Sequence, residues 1–137
     1  DLIPFVTGAG EATRAVKTAN KVADKTTAVI KIQKAVDFTD ESAKMVKSLD
    51  RSKGYTRSSL RAGIYIHNGY KATSEFIKKE KEVRLISKSR PDYVDKTRKI
   101  IYELKPMNKR NVKKGIKQLM RYWEELGDEF EMILELY

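Results

Sequence analysis

The sequence predicts a mixed α+β (or α/β) domain, and three patterns predict it. Small and branched apolar residues recur every three or four positions through the first third of the chain. Short β-type runs then fall within residues 83–105, and a helical apolar stripe within residues 112–123 leads into a β-type end. At 137 residues there is room for one modest domain with a real core and little room for a second.

Turn formers between Leu2 and Gly10 precede a helix expected from the spacing of Ala12, Ala15, Val16, Ala19, Val22, Ala23, Val29, Ile30 and Val36, broken near Thr26-Thr27. Gly8-Ala9-Gly10 has no strand before it, so a turn explains it better than a dinucleotide loop. Residues 1–50 are read as a helical leading segment and residues 51–137 as the second unit, with polar residues 49–56 around Gly54 linking them. Residues 60–81 are expected to be helical, although Asn68-Gly69 could split them. Val83-Arg84-Leu85-Ile86, residues 91–95 and residues 99–105 form a meander that Pro106 stops. Asn108 or Asn111 then caps a helix striped by Val112, Ile116, Leu119, Met120 and Trp123. Gly127-Asp128 breaks that helix, and residues 130–137 return as a strand with Phe130, Met132, Leu134 and Leu136 alternating against acids.

Cysteine is absent, which excludes disulfides, thiolate metal sites and thiol catalysis. With 29 Lys and Arg against 19 Asp and Glu, the net charge of +10 favours a polyanionic partner: nucleic acid first, then an anionic membrane surface or an acidic protein. Lys109, Arg110, Lys113, Lys114, Lys117 and Arg121 form the candidate nucleic-acid-binding face, beside an end, residues 124–137, that carries acids and no Lys or Arg. No apolar run has the length of a membrane span, and the Ala-rich face of residues 12–36 lacks Trp and Phe, so stable membrane insertion is not expected. No signal peptide is visible, and the start without Met points to a fragment of something longer. His67 is the sole histidine, which excludes a two-histidine acid–base mechanism, and it is read as structural or exposed. No Gly-x-Ser-x-Gly elbow supports a serine hydrolase.

The chemistry gathers around Arg90-Pro91-Asp92 and Glu103-Leu104-Lys105. In a strand, Glu103 and Lys105 share a face while Leu104 points into the packing layer. Should the preceding run pair antiparallel, Asp92 reaches the same end, and two hard oxygen ligands there suit Mg²⁺ (or Mn²⁺), with the Leu104 carbonyl able to turn towards the ion. Lys105 would then position the attacking water or neutralise charge on a phosphate. A surface network of alternating charges on an inert nucleic-acid-binding module is the competing explanation.

With Pro91-Asp92 as one half and Glu103-Leu104-Lys105 as the other, residues 60–137 resemble the PD-(D/E)xK, restriction-endonuclease-like superfamily. Gln118 and Tyr122, one turn apart, resemble the QxxxY element of some members. The resemblance implies a small central mixed sheet flanked by helices, with Asp92, Glu103, Lys105, Gln118 and Tyr122 as catalytic residues. It also implies that Gln118 and Tyr122 contact the phosphate backbone or orient Lys105, and that an acid on the helix before the sheet completes the metal site. Glu75 is chosen for that place over Glu80 and Glu82, and Asp95 is a further possible ligand, expected in an exposed turn. The activity so implied is Mg²⁺-dependent phosphodiester hydrolysis, with DNA favoured and transfer RNA the alternative. Residues 2–11 and the Ala-rich stretch after them resemble the segment before the toxin domain in bacterial polymorphic toxins, such as contact-dependent growth inhibition effectors and Rhs or wall-associated proteins. That likeness implies a toxin secreted or attached to the cell surface within a larger protein, acting in the target cell's cytoplasm and neutralised by a cognate immunity protein.

Overall fold

Ala28, Ile30 and Ile32 are buried while Val29 and Lys31 face outward, the period of two that marks a strand. The computed structural model describes residues 4–8, 28–70, 79–81, 85 and 88–137, and it builds a six-stranded mixed sheet that includes this segment. The strands are β1 (Pro4–Gly8), β2 (Ala28–Lys34), β3 (Lys79–Lys81), β4 (Tyr93–Asp95), β5 (Ile100–Lys105) and β6 (Glu131–Leu136), in the spatial order β1-β2-β6-β5-β4-β3. From β1 through β2 and β6 to β5 the pairing is parallel; β4 and β3 add on antiparallel.

The helices are α1 (Asp40–Ser48), α2 (Leu60–Gly69) and α3 (Lys109–Leu126). Each begins on a side-chain cap, since the oxygens of Thr39, Ser59 and Asn108 accept from the backbone N–H groups of Ser42, Ala62 and Asn111. Gly127, at φ 122°, ends α3 in a conformation that favours glycine. α3 covers one face of the sheet, where Leu119, Tyr122 and Trp123 meet Ile30, Ile101, Met132, Leu134 and Leu136. On the other face, Val46 of α1 and Ile66 of α2 pack with Tyr102, Leu104, Ile133 and Tyr137. The α+β class, with a central mixed sheet between helices, is what the sequence predicts.

Several expected elements are corrected. Residues 28–34 are a strand inside the sheet, not part of a helix; Ala12, Ala15, Val16, Ala19, Val22 and Ala23 lie outside the described residues. The sheet therefore takes strands from both sides of residue 50. In the segment read as the linker, Thr56 N–H donates to Met107 O (2.8 Å), Asn108 Nδ2 donates to Thr56 O (3.1 Å), and Asp50 bridges to Arg57. α2 stops at Gly69, where a Cβ would collide with Ser42 and come within 2.7 Å of Thr39 Oγ1, so the glycine lets α1 and α2 approach closely. The strand beside β4 is Lys79–Lys81, where helix was expected, and of residues 83–86 only Leu85 is described, buried and outside any strand. β6 is buried on both faces beyond the exposed Glu131 because it is a central strand flanked by parallel neighbours, so Glu135 does not lie on a solvent side. Glu135 is fully buried, accepting from Gln33 Nε2 (2.8 Å) and the Tyr70 hydroxyl.

Candidate active site

Because Tyr93 pairs with Tyr102, the residues just past that rung, Asp92 and Glu103, meet at the end of the β4–β5 ladder. Two bonds lock them. The Asp92 N–H donates to Glu103 Oε1 (3.3 Å), and the Leu104 N–H donates to Asp92 Oδ2 (2.7 Å). Lys105, on the same strand face as Glu103, brings Nζ within 3.5 Å of Glu103 Oε2. All three side chains are largely withdrawn from water, at 14% exposure for Asp92 and Lys105 and 3% for Glu103.

The helices close the site from both layers. From α3, the Tyr122 hydroxyl lies 3.3 Å from Glu103 Oε2 and 3.2 Å from Arg90 O, so its single hydrogen holds the carboxylate or the loop before β4. Tyr122, expected beside the apolar stripe and in contact with the phosphate backbone or orienting Lys105, is buried in the core cluster with its hydroxyl against Glu103. One turn earlier, Gln118 Oε1 is buried without a hydrogen-bond partner among the described residues. An unpaired buried acceptor is expensive.

From α2, His67, read as structural or exposed, stands beside Asp92 and ties α2 to β5. Its Nδ1 lies 2.9 Å from Gly63 O, one helical turn back, and its Nε2 lies 3.1 Å from Leu104 O and 3.5 Å from Asp92 Oδ2. The Tyr137 ring stands edge-on to the imidazole at 6.5 Å. Nothing in the local sequence ties α2 to β5; the only available signal was that the chain has one histidine.

Burial and then the charge of Asp92 push the Glu103 carboxyl well above its ordinary range, against the pull of Lys105. Burial alone would raise Asp92 too, but the hydrogen bond and charge of His67, with the Leu104 N–H, hold it below. His67 is the reverse case: burial would lower it, and Asp92 with the Gly63 carbonyl outweighs that and raises it. Burial, followed by the charge of Glu103, raises the Tyr122 phenol far above its usual value, so the hydroxyl stays a donor.

Two carboxylates set side by side in a dry pocket, one of them resisting ionisation, are a donor set that a divalent cation would satisfy. Asp92, Glu103 and the Leu104 carbonyl are the groups that would hold it. No cluster of three or more His, Asp or Glu side chains suited to a metal occurs among the described residues, so the fit depends on that main-chain oxygen. Of the helix acids, Glu75 and Glu82 lie outside the described residues, and Glu80 stands in β3. Asp95 is a correction: it is 1% exposed, within β4, and its Oδ1 accepts from the Arg98 N–H at 3.0 Å, closing the turn into β5. Lys109, Arg110, Lys113, Lys114, Lys117 and Arg121 are all exposed along α3.

Comparison with curated proteins and with solved structures returned no match. A family model described as restriction endonuclease fold toxin 9 does match, over residues 55–137, a span that holds α2, α3 and strands β3 to β6 with every residue of the site described above. The match covers more than half of the chain, and the mixed sheet between helices agrees with it: the protein belongs to the restriction endonuclease fold toxin family.

Proposed function

We propose that the chain hydrolyses phosphodiester bonds in nucleic acid, with DNA as the favoured polymer, through a divalent cation, Mg²⁺ or Mn²⁺, held by Asp92 and Glu103. The observation that supports this reading is the pair of bonds that fixes the two carboxyl groups, Asp92 N–H to Glu103 Oε1 and Leu104 N–H to Asp92 Oδ2, with the Lys105 ammonium 3.5 Å from the second carboxylate. A structural ion pair would need neither the two adjacent carboxylates nor the burial of both.

The bound cation supplies Lewis-acid polarisation of the phosphate and a more acidic water. Lys105 donates hydrogen bonds to the attacking water and neutralises charge that develops on the phosphoryl oxygens. Tyr122 keeps Glu103 turned towards the site through its hydroxyl, and Gln118 Oε1 accepts from water or from the Lys105 ammonium. The exposed cations of α3 grip neighbouring phosphates and thereby set the scissile bond over the carboxylates. Glu75 remains the proposed acid from the segment between α2 and β3.

Membership of a toxin family supports delivery of this domain from a larger bacterial protein into a competitor's cytoplasm, with an immunity protein protecting the producer. No helix among the described residues is long and apolar enough to cross a membrane. The sequence division at residue 50 is carried forward as a functional one: residues 51–137 hold the chemistry, and residues 1–50 lead into it while lending β1, β2 and α1 to its framework.

The test is incubation of the purified chain with plasmid, linear DNA and total RNA, in Mg²⁺, Mn²⁺ or EDTA, beside folded Asp92→Ala, Glu103→Ala and Lys105→Ala proteins. Cleavage of DNA that needs the cation and all three side chains is the expected result. Loss of the transfer RNA bands alone moves the substrate to RNA. Cleavage indifferent to chelation or to the substitutions refutes the mechanism, and salt-sensitive binding without cleavage makes the chain an inert binding module.

A further inference from the structure

Residues 51–61 carry Arg51, Lys53, Arg57 and Arg61 and no acid, and Tyr55 stands among them. The backbone around Tyr55 is pinned. Gly54, at φ 71°, turns the chain so that the Tyr55 N–H donates to Ser52 O (3.0 Å), and the Arg57 N–H donates to Asp50 O (3.0 Å). Between them Thr56 is 1% exposed, its N–H donating to Met107 O (2.8 Å) and its carbonyl accepting from Asn108 Nδ2 (3.1 Å). Tyr55 is extended, and in extended chain the neighbours of an inward residue share the outward face, so Tyr55 and Arg57 stand side by side. Tyr55 is 47% exposed, and the Arg57 guanidinium lies over its ring, 5.9 Å from the centroid. Asp50, the acid just before this stretch, accepts from the Ser52 N–H (3.2 Å) and hydroxyl (2.8 Å).

This pair lies at the end of the sheet that holds the carboxylates. Met107 is two residues past Lys105, and Asn108 leads straight into Lys109 and Arg110 of α3. On the other side, Ser58 Oγ accepts from the Tyr137 hydroxyl (3.2 Å), the Tyr137 ring stands edge-on to His67 at 6.5 Å, and His67 Nε2 is 3.5 Å from Asp92 Oδ2. The basic face of α3 thus continues through Arg57 to an exposed aromatic ring beside the site.

We infer that Tyr55, backed by Arg57, is a stacking platform for one base of the substrate, and that the substrate class is therefore a strand with unpaired bases, single-stranded DNA or RNA, in preference to continuous duplex. Cations alone hold a phosphate backbone; an aromatic ring set among them adds a surface on which any unpaired base can stack. A continuous double helix keeps its base faces inside its own stack, so the ring finds no partner there. A ring on a backbone already fixed gives up little further freedom when it stacks. The inference rests on the chain acting on nucleic acid.

The whole chain is titrated in EDTA, where the proposed reaction cannot run, with labelled single-stranded DNA of about 12 nucleotides, RNA of the same sequence and the corresponding DNA duplex. The expected result is a single strand bound more tightly than the duplex, and the tighter of the two single strands names the polymer. Tyr55→Ala weakens that binding roughly 10-fold without changing its salt dependence, and Tyr55→Phe retains it. Arg57→Ala lowers the slope of log affinity against log salt by about 0.7. On the unaltered chain, a strand carrying iodouracil cross-links to Tyr55 under ultraviolet light, a readout that holds even where a variant does not fold. A single strand bound no more tightly than duplex, or cross-links that bypass Tyr55, overturns the platform and leaves the nucleic-acid reading standing. An unaltered chain that binds none of the three polymers overturns that reading and the platform with it.

Discussion

Glu103→Gln should make the cation-free protein more stable while abolishing cleavage. Glu103 is 2% exposed, beside the carboxylate of Asp92 and 3.5 Å from the Lys105 ammonium. At an effective dielectric of about 20, a charge pair at that distance interacts by about 5 kcal/mol. The attraction of Lys105 and the repulsion of Asp92 are of this same order and largely cancel, which leaves the loss of hydration as the residual cost of the charge. Glutamine removes that residue of cost and keeps the shape. Its Oε1 still accepts from the Asp92 N–H, and its amide can donate to the Tyr122 oxygen while that hydroxyl turns to Arg90 O, 3.2 Å away. The expected gain is about 1–2 kcal/mol, seen as a rise in Tm of roughly 4–8 °C in EDTA at neutral pH. The sign can be checked against pH. Glu103 has its folded pKa raised, so the stability linked to its proton is fully present below the ordinary carboxylate value, about 4.3, and is lost as pH rises through the folded value. The advantage of the glutamine protein should therefore shrink towards pH 4 and grow towards neutrality. Added Mn²⁺ should stabilise the unaltered protein and leave the variant nearly unmoved. A variant less stable than the parent in EDTA at neutral pH would refute the claim that the site is strained without its cation.

The other predictions concern residues that support the site. Tyr122→Phe removes only the hydroxyl that reaches Glu103 Oε2 and Arg90 O, so the fold should persist while cleavage slows about 10-fold, measured under single-turnover conditions. Lys113→Ala and Lys117→Ala should each weaken DNA binding across all sequences alike and reduce the slope of log affinity against log salt by about 0.9, with the metal site untouched. Tyr70 is buried, and burial followed by the charge of Glu135 raises its phenol well above 10, so the stability it lends is complete below pH 10 and is lost above it. Urea midpoints should therefore fall on the alkaline side, and Tyr70→Phe should flatten that fall while costing about 1–3 kcal/mol at neutral pH by leaving Glu135 short of a donor.

What the sequence disclosed was local in origin. α3 was legible because its stripe, its Asn108 cap and its Gly127 stop are all written within one segment. The meeting of Asp92 with Glu103 and Lys105 was legible because a short antiparallel connection places the residues before one strand near the end of its neighbour. β2 was misread because Val29 and Ile30 are adjacent apolar residues that fit a helical stripe, although Val29 is 45% exposed and only Ala28, Ile30 and Ile32 face inward. The central position of β6 was hidden for a different reason: parallel pairing to β2 and β5 joins segments far apart in the chain, and alternation cannot report that the far face is covered. α1 falls in the segment read as helical, but its bounds, marked by the Thr39 cap and the acidic first turn, went unread, since its apolar contribution to the core is Val46 with Met45 partly buried beside it. His67 was illegible because its role depends on two layers closing over the end of a sheet.

Burial of an acid does not by itself mark a site in this protein, and the comparison of Glu103 with Glu135 shows what does. They lie on adjacent central strands, Glu103 opposite Leu134 and Glu135 opposite Leu104, and so face opposite layers of the sheet. Glu135 accepts from the Gln33 amide and from the Tyr70 hydroxyl. Glu103 shares its surroundings with a second carboxylate, a lysine at the limit of an ion pair and a tyrosine that divides its hydrogen between two acceptors. The first arrangement joins β2 to β6; the second sets two carboxyl groups together, one of them pushed well above its ordinary range by burial and by the charge of Asp92. On the proposed mechanism a divalent cation would relieve that crowding, and Lys105 would donate to the phosphate held there. On the proposed mechanism, the burial that should make Glu103→Gln the more stable protein is also what a cation at the site would relieve.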